Sequence, residues 1–336
     1  MNIKSLLIGS AAVLVAATGA RAADVIVADP EPVDYVRVCD TYGAGFFYIP
    51  GTETCLKIGG FVRYDVNINR NGWTKNTRGQ LTIDAREETE YGTLRGFIAF
   101  QGNSTPTVVG NVANTGSVSF ANVANVILDS AFIEIGAAGG VLHIGFSDNA
   151  FDAGISGEFD ALGGAKTNRI AYSFSAGALS GSISIDDDAN GDFTPNVSGN
   201  IGGTFGPAAV RVYAAYDNNT KNWAVKGIAS AKATDMVTLE LAGVYANGPS
   251  YVGPVARYSI AGDIVVQANA KVKLVAGAQY DDRFGFAVGV NRWVVGGHVD
   301  FKPTPNFLIR GAIQHAKVSN VATGATTGYI RFQRDF

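Results

Sequence analysis

Few side chains in this 336-residue sequence stand at spacings that could support covalent chemistry. The three histidines, His143, His298 and His315, lack the Ser-His-acid spacing of a hydrolase built on a strand, turn and helix. A hydrolytic site would have to be assembled from residues that converge in space. Asp186, Asp188, Asn190 and Gly191 match the first half of an EF-hand calcium loop, but its twelfth position is Val197 instead of a bidentate glutamate. An exposed acidic loop is the better reading there. The run Gly136, Gly139, Gly140 lacks the lysine and following helix of a phosphate loop, which leaves a tight turn. Cys39 and Cys55 are the only cysteines, so they are either one disulfide or two thiols, free or metal-bound. No catalytic set, no metal set and no cofactor motif emerges. What remains is electrostatic: charged side chains spread along alternating segments.

The N-terminus bears on the cysteines. Lys4, an apolar stretch over 6–17 and Ala20-Arg21-Ala22 make a secretory signal peptide over residues 1–22, followed by a mature chain over 23–336. Twelve apolar residues are too few to span a bilayer. Export delivers the cysteines to an oxidising compartment, where a disulfide closing their loop would stabilise by about 3 kcal/mol on the chain-entropy model.

Composition narrows the class further. Charged residues are 16% of the chain, against roughly 25% in an ordinary soluble domain. Gly numbers 42 and Pro only 10. A net charge of -3 with no Lys/Arg cluster excludes nucleic acid as a partner. Beyond the N-terminus no apolar run reaches helix-spanning length, which excludes helical membrane spans.

Alternation with a period of two runs through most of the mature chain. Leu56, Ile58, Gly60, Val62, Tyr64 and Val66 interleave with Lys57, Gly59, Phe61, Arg63 and Asp65, which gives one apolar and one largely polar face. The same pattern predicts strands near 78–86, 94–101, 127–135, 140–146, 168–174, 179–186, 200–206 and 208–217. Others follow near 222–230, 236–245, 255–267, 271–281, 292–302, 306–316 and 327–336. The fold class is therefore all-β with sixteen strands. Connections alternate between long (67–77, 102–126, 147–167, 187–199, 218–221, 246–254, 282–291, 317–326) and short, as in a transmembrane antiparallel barrel with long loops at one rim. Parity puts Tyr64, Phe100, Tyr216, Trp223, Tyr245, Tyr280 and Trp293 on the outer face near the long-loop rim. Phe174, Phe205, Phe301, Phe307 and Phe336 fall near the other, and two aromatic girdles result. Arg334 falls on that lipid face close to the rim, where it can snorkel. The other face lines a lumen too wide for side chains to fill. Its basic positions include Lys57, Arg63, Arg78, Arg86, Arg95, Arg169, Arg211, Lys226, Arg257, Lys273, Arg310 and Arg331.

At this point a family resemblance rests on specific residues. CDTYGAGFFYIPGTETCLKIGGFVRYD at 39–65, preceded by PEPVDYVRV, strongly resembles the start of the alphaproteobacterial general porin family. AFIEIGAAGGVLHIGFSDNAFD at 131–152 is similar to the strand pair leading into that family's constriction loop, and YIRFQRDF at 329–336 resembles the terminal assembly signal ending in Phe336. The resemblance implies a homotrimer of sixteen-stranded barrels with the third long loop, about 147–167, folded into each pore. Asp148, Asp152, Glu158 and Asp160 on that loop would then face Arg63, Arg78, Arg86, Arg95 and Arg331 across the constriction, and the opposed charges would set ion preference. The implied partners are outer-membrane lipid and lipopolysaccharide, the barrel assembly machinery, and small hydrophilic solutes and ions. The expected function is passive diffusion without cofactor or turnover. A solute-specific channel and a structural or adhesive barrel are the alternatives.

Overall fold

The computed structural model describes residues 37–111, 118–137, 139–157, 162–188, 191 and 194–336. The signal segment, and Glu158 and Asp160 of the expected constriction loop, lie outside them.

Among the described residues a two-residue strand, β1 (Phe47–Tyr48), precedes sixteen longer ones. They are β2 (Cys55–Asn69), β3 (Gly72–Thr89), β4 (Gly92–Asn111), β5 (Val118–Ala137), β6 (Gly140–Asp148), β7 (Lys166–Ala176), β8 (Leu179–Asp186) and β9 (Asn196–Phe205). Then come β10 (Ala208–Tyr216), β11 (Trp223–Lys232), β12 (Val237–Ala246), β13 (Ala256–Asn269), β14 (Val272–Phe284), β15 (Arg292–Thr304), β16 (Phe307–Val318) and β17 (Ala325–Asp335). Each of the sixteen pairs antiparallel with its neighbour in sequence, and β17 returns to β2, with Arg331 opposite Asp65 and Gln333 opposite Arg63. Closure leaves no unpaired edge for lipid to meet. Phe336 completes the seam by exchanging backbone hydrogen bonds with Gly60 at 3.1 and 3.0 Å. Gly60 holds φ +150°, and a Cβ there would fall 2.0 Å from the Gln80 carbonyl on β3, so the position requires glycine.

All sixteen expected strands are present, but the first connections are not long loops. The expected loop at 67–77 is a turn at Arg70-Asn71, and β4 and β5 extend through most of 102–126. A ladder that has cleared the lipid needs no apolar face, so strand pairing continues there without the alternation by which a strand is recognised. Tyr64 and Phe100 therefore stand well inside long strands instead of at their ends.

The distribution of side chains is inverted relative to a soluble protein. Ile58, Ile133, Ile183, Leu241, Ile264 and Trp293 are exposed on the outer face. Asp65, Asp84, Asp186, Lys226, Asp281 and Asp300 are buried on the inner one. The girdle at the long-loop rim is continuous over β10–β15. There Tyr216 faces Trp223, Tyr245 faces Tyr258 and Tyr280 faces Trp293. Ring centroids lie 5.1 Å apart for Trp223–Tyr245, 4.9 Å for Tyr245–Tyr258 and 4.6 Å for Tyr280–Trp293.

Candidate functional site

Between β6 and β7 the described parts of the segment 149–165 fold inward against the wall formed by β9–β13. Phe151 is fully buried among Tyr213, Ala215, Ala224, Ala246 and Val252, and Leu162 packs on Ala242, Val244 and Ala261. Burying one such side chain is worth roughly 1.5–3 kcal/mol. Polar groups fix the register. The Ala150 amide donates to Ser198 Oγ at 3.2 Å, and Asn200 Nδ2 donates to the Ala150 carbonyl at 2.8 Å. The Ser156 amide donates to Glu240 Oε2 at 2.6 Å, and the Gly157 amide donates to Asp263.

Lys226 on β11 is the central anchor. It is 0% exposed, and its Nζ donates to the carbonyls of Ala153 at 2.7 Å and Gly163 at 2.9 Å. The ammonium also lies 4.4 Å from the Phe151 ring centroid and 5.0 Å from that of Tyr213. A buried charge persists only when so compensated. Parity alone places Lys226 in the lumen; its role depends on a loop distant in sequence, which parity does not address.

A second connection, 247–255, braces the first. The Val252 carbonyl accepts from the Gly164 amide at 2.7 Å. Tyr251 Oη donates to Asp186 at 2.7 Å, and its amide donates to Asp217 at 2.7 Å. Burial, and then the Asp186 charge, push the Tyr251 phenol up, so it stays a donor. Asp186, expected at the start of an exposed acidic loop, is fully buried and also accepts from the Ser184 and Ser198 hydroxyls. Its oxygens are thereby committed to bracing the wall and not to the EF-hand-like pattern.

The acids and arginines expected at the constriction divide into groups. Asp148 ends β6, with Lys166 Nζ 3.9 Å away. Burial first, then the neighbouring Asp148 charge, raise the Asp152 carboxyl. On the wall formed by β17 and β2–β5, three of the arginines have carboxylate partners. Arg331 meets Asp65 at 2.7 Å, and Arg86 meets Asp84 at 2.7 Å. Arg95 lies between Asp84 at 3.0 Å and Glu134 at 2.8 Å. Arg63 and Arg78 differ. They face each other across β2 and β3, and their Nε atoms donate to the neutral amides of Gln333 and Asn103, each at 2.7 Å.

From Glu134 the ladder continues to His143 Nδ1 at 3.2 Å, from His143 Nε2 to Ser147 Oγ at 2.9 Å, and from Ser147 to Arg169 Nε at 2.9 Å. A serine, a histidine and an acid do converge here. Arg169 and Arg95 occupy both ends of the set, and the surrounding backbone amides are used in strand pairing instead of forming an oxyanion pocket. The arrangement stitches β4–β7 together.

Cys39 and Cys55 are disulfide-bonded, which settles the choice left open by the sequence. The loop they close buries Phe46 and lies on the inner wall at the short-turn rim. Tyr42 Oη donates to Glu88 at 2.9 Å, and Lys57 Nζ donates to the Ala44 carbonyl at 3.1 Å. The Arg86 guanidinium lies 5.1 Å from the Phe46 ring. Burial, and then the bond to Glu88, push the Tyr42 phenol up to about 12.

A closed sixteen-stranded barrel, apolar outside and polar inside, with a loop seated on its inner wall, has the build of an outer-membrane channel. Residues 24–334 match a family model described as Porin subfamily. The chain is 32% identical to porin Omp2b of Brucella suis biovar 1 and to that of Brucella melitensis biotype 1, over the whole length of both chains in each case. This chain belongs to that porin family, whose members are outer-membrane diffusion channels. Solved structures agree on the fold. OmpT of Vibrio cholerae, in a structure described as a trimer form, aligns with TM-score 0.63 at 12% identity over 85% of this chain and 100% of that one. A mutant of the Rh. blastica porin aligns with TM-score 0.61 at 16% identity over 84% and 100%.

Proposed function

We propose that small hydrophilic solutes and ions diffuse passively through the lumen past a constriction made by the loop about 147–167. The supporting observation is the seating of Lys226 and Phe151, which draws that loop onto the β9–β13 wall. Asp148 and Asp152, continued by Glu158 and Asp160, make the acidic side. Arg63 and Arg78, hydrogen-bonded to amides instead of carboxylates, make the basic side, with Arg86, Arg95 and Arg331 as charge-paired reinforcement. Opposed charges across a low-dielectric passage orient permeating ions. Export follows cleavage of residues 1–22. Phe336 serves as the assembly signal, and the working unit is a homotrimer in outer-membrane lipid and lipopolysaccharide. Planar-bilayer recordings of the purified protein in a salt gradient test this reading. Conductance steps in threes that scale with bulk conductivity are expected; a silent, folded barrel would overturn it.

A further inference from the structure

Arg63 and Arg78 differ from the other three arginines of their wall. Arg331, Arg86 and Arg95 each have a carboxylate within 3.0 Å on the same strand or a neighbouring one. Arg63 and Arg78 stand directly opposite each other in the β2–β3 ladder, and like charges at such positions repel. Asp65, across the seam, is hydrogen-bonded through both oxygens to Arg331, at 2.7 and 3.2 Å, and makes no ion pair with either of them. Each guanidinium spends only Nε on an amide, at Gln333 or Asn103. Of the five N–H donors of each side chain, four therefore remain. The Arg63 guanidinium lies 4.6 Å from the Phe61 ring centroid, a contact that uses its face and leaves its edge for hydrogen bonding. Both side chains are half-buried on the lumen wall, reachable from water but partly shielded from it.

We infer that Arg63 and Arg78 form a two-forked subsite for a tetrahedral oxyanion, with phosphate and phosphomonoesters as the solute class it favours. The inference rests on the channel reading above and adds a weakly held station within it. The amide bonds pre-set two planar forks side by side. A dianion bridging them supplies the missing counter-charge through charge-assisted, bidentate hydrogen bonds. A halide offers a single point of contact and gains only the Coulomb part.

The test is chloride current through the full-length protein in planar bilayers, titrated with inorganic phosphate. The wild type should show saturable, concentration-dependent reduction of chloride conductance. The double variant Arg63→Gln with Arg78→Gln should require at least about tenfold more phosphate for the same reduction. Arg63→Lys with Arg78→Lys keeps both charges and loses the forks. Its phosphate sensitivity should fall below that of the wild type. Chloride current indifferent to phosphate in the wild type would overturn the subsite and leave the channel standing. Phosphate sensitivity unchanged in the glutamine pair, or fully kept in the lysine pair, would also overturn it. Absence of any chloride current would remove the channel reading itself.

Discussion

The two inner walls of the barrel use the same kinds of side chain for different ends. On the β9–β13 wall, Ser198, Asn200, Lys226, Glu240 and Asp263 spend their hydrogen bonds on the backbone of the folded-in segment. On the wall from β17 to β5, charged groups are spent on one another, in the order Arg86, Asp84, Arg95, Glu134. The first wall holds a piece of chain in the lumen. On the second, Arg63 and Arg78 are the two arginines whose hydrogen bonds go to amides instead of carboxylates. The comparison teaches that partners, and not charge alone, decide whether a lumen residue builds the passage or faces it.

The largest expected effect comes from breaking the first wall. Lys226→Met removes the ammonium from two carbonyls and two ring faces, and leaves the carbonyls of Ala153 and Gly163 without their donor. Orphaning buried acceptors costs about 1–3 kcal/mol each, enough to release the segment locally. Single-channel conductance should rise severalfold with added noise, while barrel assembly persists.

Next is the second wall. Arg63→Gln with Arg78→Gln should move the reversal potential toward cations. Arg86→Gln should move it less, because Arg86 lies under the disulfide loop beside Asp84. Equal shifts from the two changes would erase the distinction between paired and unpaired arginines.

How much of this was legible beforehand depends on what each feature requires. The sixteen strands were readable because lipid on one side and water on the other impose a two-residue period on every crossing segment. Lys57, Arg78 and Arg331 fall on the polar face for the same reason. The extensions of β2–β5 were not readable, since ladder pairing beyond the lipid imposes no such period. The pairing of Arg331 with Asp65 needs the register of the closing seam, and the anchoring by Lys226 needs the path of a loop some 70 residues away in sequence. Tyr251 was missed because its connection read only as a rim loop. Export of the only two cysteines to an oxidising compartment supported a disulfide but carried no sign that its loop rests on the lumen wall.

A smaller effect is expected from the carboxyl pair. Because Asp152 is raised by burial and by Asp148, it takes up its proton at a higher pH than an ordinary aspartate, whose value is about 3.9. As pH falls, the acidic side of the constriction should therefore begin to lose charge, and cation preference should decline, while exposed carboxylates are still ionised. Reversal potentials from pH 7 to 4 measure this, and Asp148→Asn should shift the early phase to lower pH without abolishing it, because burial, the larger cause, remains.

The smallest effect on current should come from Cys39→Ser with Cys55→Ser. Loss of the cross-link costs about 3 kcal/mol on the chain-entropy model and should lower thermal stability. The loop still has Phe46, Tyr42 and Lys57 to hold it against the rim, so conductance should change by much less than in Lys226→Met.

The central claim is that the segment seated on the β9–β13 wall sets the width of the pore. The most direct measurement is the single-channel conductance of the protein lacking residues 152–164, recorded beside the wild type in the same salt. A clear increase, with passage of larger neutral sugars in liposome-swelling assays, is the predicted result. Unchanged conductance and an unchanged size limit would contradict the account and place the narrowest point of the passage elsewhere.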